Sequence, residues 1–209
     1  MSTLHDWKTK EKQFYSPVAK PVSIIIPEMK FFTIEGKGNP NNPDFQNYIE
    51  VLYTLAYGVR MWTKSAPAPT GYFEYKVYPL EGIWDITEEA RLKKNEIIDK
   101  NDLVFKLMIR QPDFVTPEFY SDVLAKVKKK KTVALLSSAV FETITDGNSV
   151  QMMHIGSYDN EPESFKLMET FCRENGLIRE SKIHREIYLS DFRKTAPEKL
   201  KTVLRFGVK

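Results

Sequence analysis

A pattern of strand, helix, strand, strand occurs twice along this chain, and it restricts the possible folds more than any single motif does. The first pass runs FFTIEGKGNPNNPDF, an apolar helix reaching Trp62, GYFEYKVYPLEG and DLVFKLMIRQP. The second runs VQMMHIGSYDNEPESF, a shorter helix to Gly176, HREIYLSD and KLKTVLRFGV. Identity between the passes is low; what they share is order. Two copies of one small unit imply a pseudo-symmetric molecule with a groove where the copies meet. The expectation is an α+β fold in which 1–209 form one domain, with pseudo-repeats over about 25–115 and 138–209 and a bridging helix over about 116–131.

Local signals set the expected elements. Residues 31–37 are a strand candidate, and the following GNPNNP marks a turn in which Asn42 can cap a helix and Pro43 can take its first position. Phe45, Tyr48, Ile49, Leu52, Leu55, Ala56, Val59 and Trp62 then recur at helical spacing. Alternation over 72–78 predicts a strand, 80–102 predicts a long connection with weak helical character, and 103–109 predicts a half-buried strand. Thr116 and Pro117 open a helix that ends in the lysine run 128–131. Asp146-Gly147-Asn148, between apolar runs at 140–145 and 150–157, predicts a hairpin. Residues 162–175 read as a helix stopped by Gly176, and 184–189 and 200–206 as strands. The first 20 residues predict an arm pinned to the body by Trp7, Phe14 and Tyr15.

Composition removes several classes of function. Apolar residues make up 42% of the 209 residues and aromatic ones 12%, enough for a sizeable core, while the net charge of +3 is small and dispersed. The lysine run complements the carbonyl-rich end of its helix, which favours a solvated helix end over a nucleic-acid patch. Cys172 is the sole cysteine, so no internal disulfide forms, and a reducing cytoplasm is expected. MSTLHDWKTKEKQFY lacks the apolar run of a signal peptide, and no membrane segment is predicted. No phosphate-binding glycine loop, nucleophile elbow or dinucleotide fingerprint is present, and no cofactor is expected.

The residues left for chemistry centre on HREIYL. If Ile187 and Leu189 face the helices, alternation sends Glu186 and Tyr188 to the other face, about 7 Å apart along one wall. A glutamate in an aromatic groove can attract a cationic or electron-poor ligand or take a proton from water. A cross-strand ion pair with Lys76 or Lys106 on a wet face is the alternative. A carboxyl in open solvent, or on the helix-packed side, would overturn the mechanism built on this alternation and leave only the overall shape. Trp62 and Trp84 are candidate stacking walls for a flat ligand, against a core role for Trp62. Tyr72 and Tyr78 could contribute hydroxyl donors, against plain cross-strand packing. His154 lies on a strand, on the face opposite Met153 and Ile155, and is a further candidate ligand contact. No Cys/His/Asp spacing resembles a metal site, so no metal is expected. Cys172, on a helix's inner face, reads as core.

IEGKGNPN, PLEGIW, QMMHIGSYDNEPESF, HREIYLSD and PEKLKTVLR together resemble the GyrI-like small-molecule-binding family over about residues 25–208. The chain looks most like its stand-alone bacterial branch, which lacks a helix-turn-helix domain. The resemblance implies tandem SHS2-type βαββ modules, antiparallel sheets with helices on one side, and a ligand cleft between the modules. A late-strand glutamate, here Glu186, would reach into that cleft. It also implies planar, hydrophobic, often cationic ligands. A subset resembles hydrolases that open the strained cyclopropane of DNA-alkylating cyclopropanoid antibiotics by adding water, with Glu186 as base and Tyr188 as donor. Two alternatives stay open: a non-catalytic binder that sequesters amphipathic cationic drugs, and a protein that modulates gyrase. Direct nucleic-acid binding is not expected, and oligomeric state is not set by the sequence.

Overall fold

Periodic apolar runs resolve into six α-helices and eight strands among the described residues, which in this computed structural model are 4–93, 99–130 and 132–209. In chain order they are α1 (Trp7–Lys10), α2 (Lys12–Tyr15), β1 (Val22–Ile26), β2 (Met29–Lys37), α3 (Phe45–Arg60), β3 (Leu80–Ile86), α4 (Glu88–Lys93), β4 (Leu103–Gln111), α5 (Pro117–Lys130), β5 (Val140–Ile144), β6 (Gly147–Ile155), α6 (Glu161–Glu174), β7 (His184–Tyr188) and β8 (Lys201–Gly207). Every named strand pairing is antiparallel, which makes the fold α+β. The chain divides into two compact units. Unit 1 holds the residues up to Asp6, Met29–Leu80 and Asp85–Ile144; unit 2 holds Trp7–Glu28, Glu81–Trp84 and Thr145–Lys209.

In unit 1 the strand order is β4-β2-β5, with Phe32 opposite Ile109 on one side and Phe141 on the other. Helix α3 buries Val51, Leu52, Leu55, Ala56 and Val59, each worth about 1–3 kcal/mol as burial of apolar surface. It packs on β2, β4 and α5. Gly58 permits that last contact, since a Cβ there would stand 2.8 Å from Cγ1 of Val123 on α5. Thr116 caps α5 as its sequence suggests, its Oγ1 accepting from Phe119 N at 3.2 Å. The start of α3 differs from expectation. Asp44 occupies the N-cap, and Asn42 and Pro43 form the preceding turn, with Phe45 N donating to the Asn42 carbonyl at 3.0 Å.

The predicted strand at 72–78 is not one. That segment has no regular secondary structure beyond one isolated bridge from Tyr75 to His5, and its rings pack around Phe114. The strand lies later, at β3, inside the stretch read as a connection, of which residues 94–98 fall outside the described residues. LEGIWDI hides its strand character because both of its faces are covered, so it has no apolar alternation to read.

In unit 2 the order is β1-β6-β8-β7-β3. Helix α6 sets Met168 and Cys172 against Val150, Met152, Leu204 and Phe206. Gly176, at φ +68°, ends the helix, with Leu177 N donating to the Cys172 carbonyl at 2.9 Å. The N-terminal arm holds the opposite face: Trp7 and Tyr15 are buried there, and Arg205 donates to the Phe14 carbonyl at 3.0 Å. The predicted hairpin at Asp146-Gly147-Asn148 does not close on itself. β5 pairs with β2, while β6 pairs with β1 and β8. Asp146 is drawn instead into ion pairs with Arg185 and Arg205. No helix among the described residues is long and apolar enough to cross a membrane.

Candidate functional site

Residues paired directly across antiparallel strands share a face, so the register fixes where each β7 side chain stands. Glu186 lies opposite Leu204 on β8 and Gly82 on β3; Tyr188 lies opposite Thr202. Leu204 belongs to the core beneath α6. Glu186 and Tyr188 are therefore on the helix-packed face, and Ile187 points the other way, which reverses the sequence expectation and overturns the mechanism argued from alternation; any role for Glu186 has to rest on its actual neighbours. Ile187 is fully buried all the same, because the other face carries the N-terminal arm. Apolarity marked a buried side chain correctly and its face wrongly, since both faces of this strand are covered.

On the α6 face, Glu186 is 8% exposed. Tyr188 donates its hydroxyl proton to Glu186 Oε2 at 2.8 Å and accepts from the indole N–H of Trp84 at 2.7 Å. Trp84 sits on β3 beside the start of β7, paired with His184, so three strand positions build one relay from indole to phenol to carboxylate. The His184 ring sets Nε2 3.1 Å from Glu186 Oε1 and Nδ1 3.2 Å from the Lys182 carbonyl, with Phe165 of α6 edge-on at 4.8 Å. Tyr158 meets the Tyr188 ring edge-on at 6.0 Å.

A second carboxyl completes the cluster. Glu161, in the first turn of α6, is 6% exposed, and no donor reaches its buried Oε1. A helix N-terminus ordinarily favours an anion. Here burial, then the charge and hydrogen bond of Glu186, then Asp159, push the Glu161 carboxyl up to about 10. Burial and the charge of Glu186 also raise the Tyr158 phenol to about 12 and hold the Tyr188 phenol well above its ordinary value. His154 explains why this helix start presses on the sheet. Its Nδ1 lies 2.9 Å from Ser164 Oγ and its Nε2 3.0 Å from the Ser157 carbonyl, which ties β6 to both sides of the turn that carries Glu161.

Of the seven residues singled out from sequence, Trp84, Glu186 and Tyr188 form one bonded cluster, and His154 braces the segment beside it. Trp62, Tyr72 and Tyr78 belong to unit 1. Trp62 follows α3 in a short 3-10 turn, donates to the Pro67 carbonyl at 3.1 Å, packs edge-on against Phe119 and carries Lys126 over its ring. Tyr72 packs on Phe114, and Tyr78 is buried beneath the Arg110 guanidinium. Trp84 is on a strand, not in a connection. The proposed partners Lys76 and Lys106 have other acids: Lys76 pairs with Asp6, and Lys106 with Glu35 and Glu142. Sequence reasoning missed Glu161, Tyr158 and His184. The one available signal was the i, i+3 spacing of Tyr158 and Glu161 at a helix start, which a solvated acidic first turn shows equally well. Cys172 is buried in the core, its thiol pushed up by desolvation.

The arrangement sets a carboxylate that can accept a proton, Glu186, beside a second acid whose charge is disfavoured, within a wall of aromatic edges. Comparison with known proteins agrees with a ligand-binding fold. A solved structure of a hydrolase from Listeria innocua is 35% identical, covers 98% of this chain and 100% of its own, and superposes with a TM-score of 0.88. An uncharacterized conserved protein from the same organism is 36% identical over 98% of this chain and 100% of its own, with a TM-score of 0.89. The EcmrR C-terminal domain, 16% identical over 91% of this chain and 97% of its own, shares the fold alone, with a TM-score of 0.51. No curated protein matches the chain. The profile of the GyrI-like small-molecule-binding domain matches residues 21–209, nearly the whole length, and the chain belongs to that family.

Proposed function

We propose that this protein binds planar, hydrophobic, electrophilic small molecules at the Glu186 cluster and opens a strained cyclopropane in them by adding water, a detoxifying hydrolysis. The observation that carries the reading is the sheltered Glu186 carboxylate, oriented by the Tyr188 hydroxyl at 2.8 Å, which is itself fixed by Trp84. A base must be held in one position to select a single water, and this relay leaves Glu186 little freedom. The likeness to a Listeria hydrolase at 35% identity supports catalysis over binding alone.

In this reading Glu186 takes a proton from water as the water oxygen bonds to the ring methylene. The strained carbon–carbon bond breaks, and its electron pair passes into the conjugated dienone to give a phenolate, which takes a proton from solvent. Glu186 then returns its proton to solvent, so the net change is one water added. Tyr188 holds the base, while Trp84 and Tyr158 offer ring edges to the flat substrate. Ligand contacts by Trp62, Tyr72, Tyr78 and His154 rest on side-chain character, and the mechanism does not require them. The single cysteine suits a reducing compartment, which supports a cytoplasmic activity. The dispersed charge gives no reason to invoke nucleic acid as a partner.

The test incubates purified protein with a cyclopropane-bearing DNA-alkylating drug and follows the gain of one water by mass spectrometry. Wild type converts the drug, and Glu186→Gln loses about 100-fold or more. Ligand-induced thermal stabilisation with no product from wild type would make the protein a sequestering binder instead. Equal turnover by Glu186→Gln would remove Glu186 from the chemistry.

A further inference from the structure

The mechanism above uses one carboxyl of the cluster, and Glu161 has no part in it. A buried carboxyl with no donor at its Oε1, set against a second carboxyl, is costly if both are charged: like charges in contact repel strongly wherever water is excluded. Nothing cationic in the first turn of α6 offsets it, because the first-turn acids are Glu161 and Glu163, and Asp159 stands just before the helix. The groups that face Glu161 are Asp159 and Tyr158 from its own segment and Glu186 with Tyr188 from β7; His184 lies beyond, on Glu186 Oε1. The arrangement becomes stable when one proton is shared between the two carboxyls.

We infer that Glu161, buried with no donor at its Oε1, is a positioning residue that donates a hydrogen bond to Glu186 and so fixes the pair at a single negative charge. This rests on the proposed role of Glu186 as base and deepens it: Glu161 acts through Glu186 and touches no substrate. Two donors then converge on Glu186, from Tyr188 and Glu161, with the His184 ring set against Oε1, and its conformation is set from both strand and helix. The arrangement also gives the site an upper pH limit. When Glu161 ionises, the two charges repel, Glu186 turns away, and its service as a base ends. The phenols do not blur that limit, because Tyr158 and Tyr188 titrate higher still.

The decisive experiment needs no substrate. Protein labelled with carbon-13 at the glutamate side-chain carboxyl is titrated by NMR from about pH 5 to 11, bracketing the ordinary carboxylate range and the expected shift. One glutamate resonance keeps the position of a protonated acid through neutral pH and titrates near 10. Glu161→Gln removes that resonance. Glu186→Gln, which takes away the neighbouring charge, moves its titration to lower pH, and this second variant decides the matter should the first fail to fold. Ordinary titration of every glutamate, or a raised resonance that is indifferent to Glu186→Gln, would overturn the inference. In the drug assay, Glu161→Gln lowers turnover about threefold at neutral pH and abolishes the alkaline limb of the wild-type profile. Glu161→Ala, with no donor, loses about tenfold. A raised resonance in a protein that opens no drug would leave the carboxyl pair intact and refute only the proposed reaction.

Discussion

The two faces of β7 both bury charge, but they do so by opposite rules. On the arm-covered face Arg185, 5% exposed, donates to Glu81 at 2.8 Å and to Asp146 at 2.7 Å, while Arg205 grips Gln151 at 2.8 Å and lies 3.6 Å from Asp146. Two guanidiniums meet two carboxylates, and Tyr15 adds a hydroxyl to Glu81. Desolvation opposes the charge on Arg185, and Asp146 and Glu81 outweigh it. On the α6 face two carboxyls meet each other, with the His184 ring 3.1 Å from one of them. Balanced charge is how a buried network holds a fold; unbalanced charge stores a protonation state that can do work. One strand therefore carries a lock on one side and a candidate reactive centre on the other.

The largest expected effect breaks the lock. Arg185→Met strips Glu81 and Asp146 of their shared partner and leaves buried anions, at a cost of about 3–5 kcal/mol. For a chain of this size that lowers the thermal midpoint by about 10 °C. Adding Glu81→Gln to Arg185→Met recovers part of the loss. Glu186→Gln, on the other face of the same strand, stays within about 1 kcal/mol of wild type, because removing one of two like charges relieves repulsion as it deletes hydrogen bonds. Calorimetry in which both single variants fall equally would erase the distinction between the faces.

The fate of the sequence reading follows the same division. The helix stripe of α3, the capped start of α5 and the glycine stop of α6 were legible because each depends on neighbours within a few residues. Glu186 and Tyr188 were found on one face of β7 because strand period fixes that much. Which face it was depended on what covers each side, and the arm that buries Ile187 comes from residues far away in sequence. The strand at Leu80–Ile86 stayed hidden for the same reason: Glu81 is apolar in none of its atoms that matter for a pattern, yet it is buried at 1% exposure by Arg185. Glu161 reads as a solvated first-turn acid, and only the register of α6 on the sheet, braced by His154, buries it.

A smaller effect, visible only as a pH slope, separates the faces by titration. Glu161 holds its proton up to about 10 in the folded protein, against an ordinary value of 4.5. Between those limits the native state binds a proton that the unfolded chain has released, so this group's contribution to stability falls as pH rises through the window. Glu161→Gln carries no such slope. Its stability relative to wild type should therefore increase from acid to alkaline pH, by at least about 1 kcal/mol, or some 2–4 °C in thermal midpoint. Chemical denaturation at several pH values measures it. Parallel curves for the two proteins would mean that Glu161 is ionised like any surface acid.

The mildest change tests whether the relay is one unit. Tyr188→Phe keeps the ring that meets Tyr158 but deletes the hydroxyl that bonds both Glu186 and Trp84. A hydrogen bond to a charged group is worth about 1.5–3 kcal/mol, and part of that loss is offset because Glu186 keeps its contact with His184. The net destabilisation should be about 1–2 kcal/mol, a few degrees in thermal midpoint. Turnover of the cyclopropane drug should fall about tenfold, since the base remains but swings more freely. The emission of the indole that loses its acceptor should shift as well, and among the three tryptophans only Trp84 donates to this hydroxyl. If stability drops while emission and turnover hold, Tyr188 is packing alone, and the orientation of Glu186 comes from the α6 side, through Glu161.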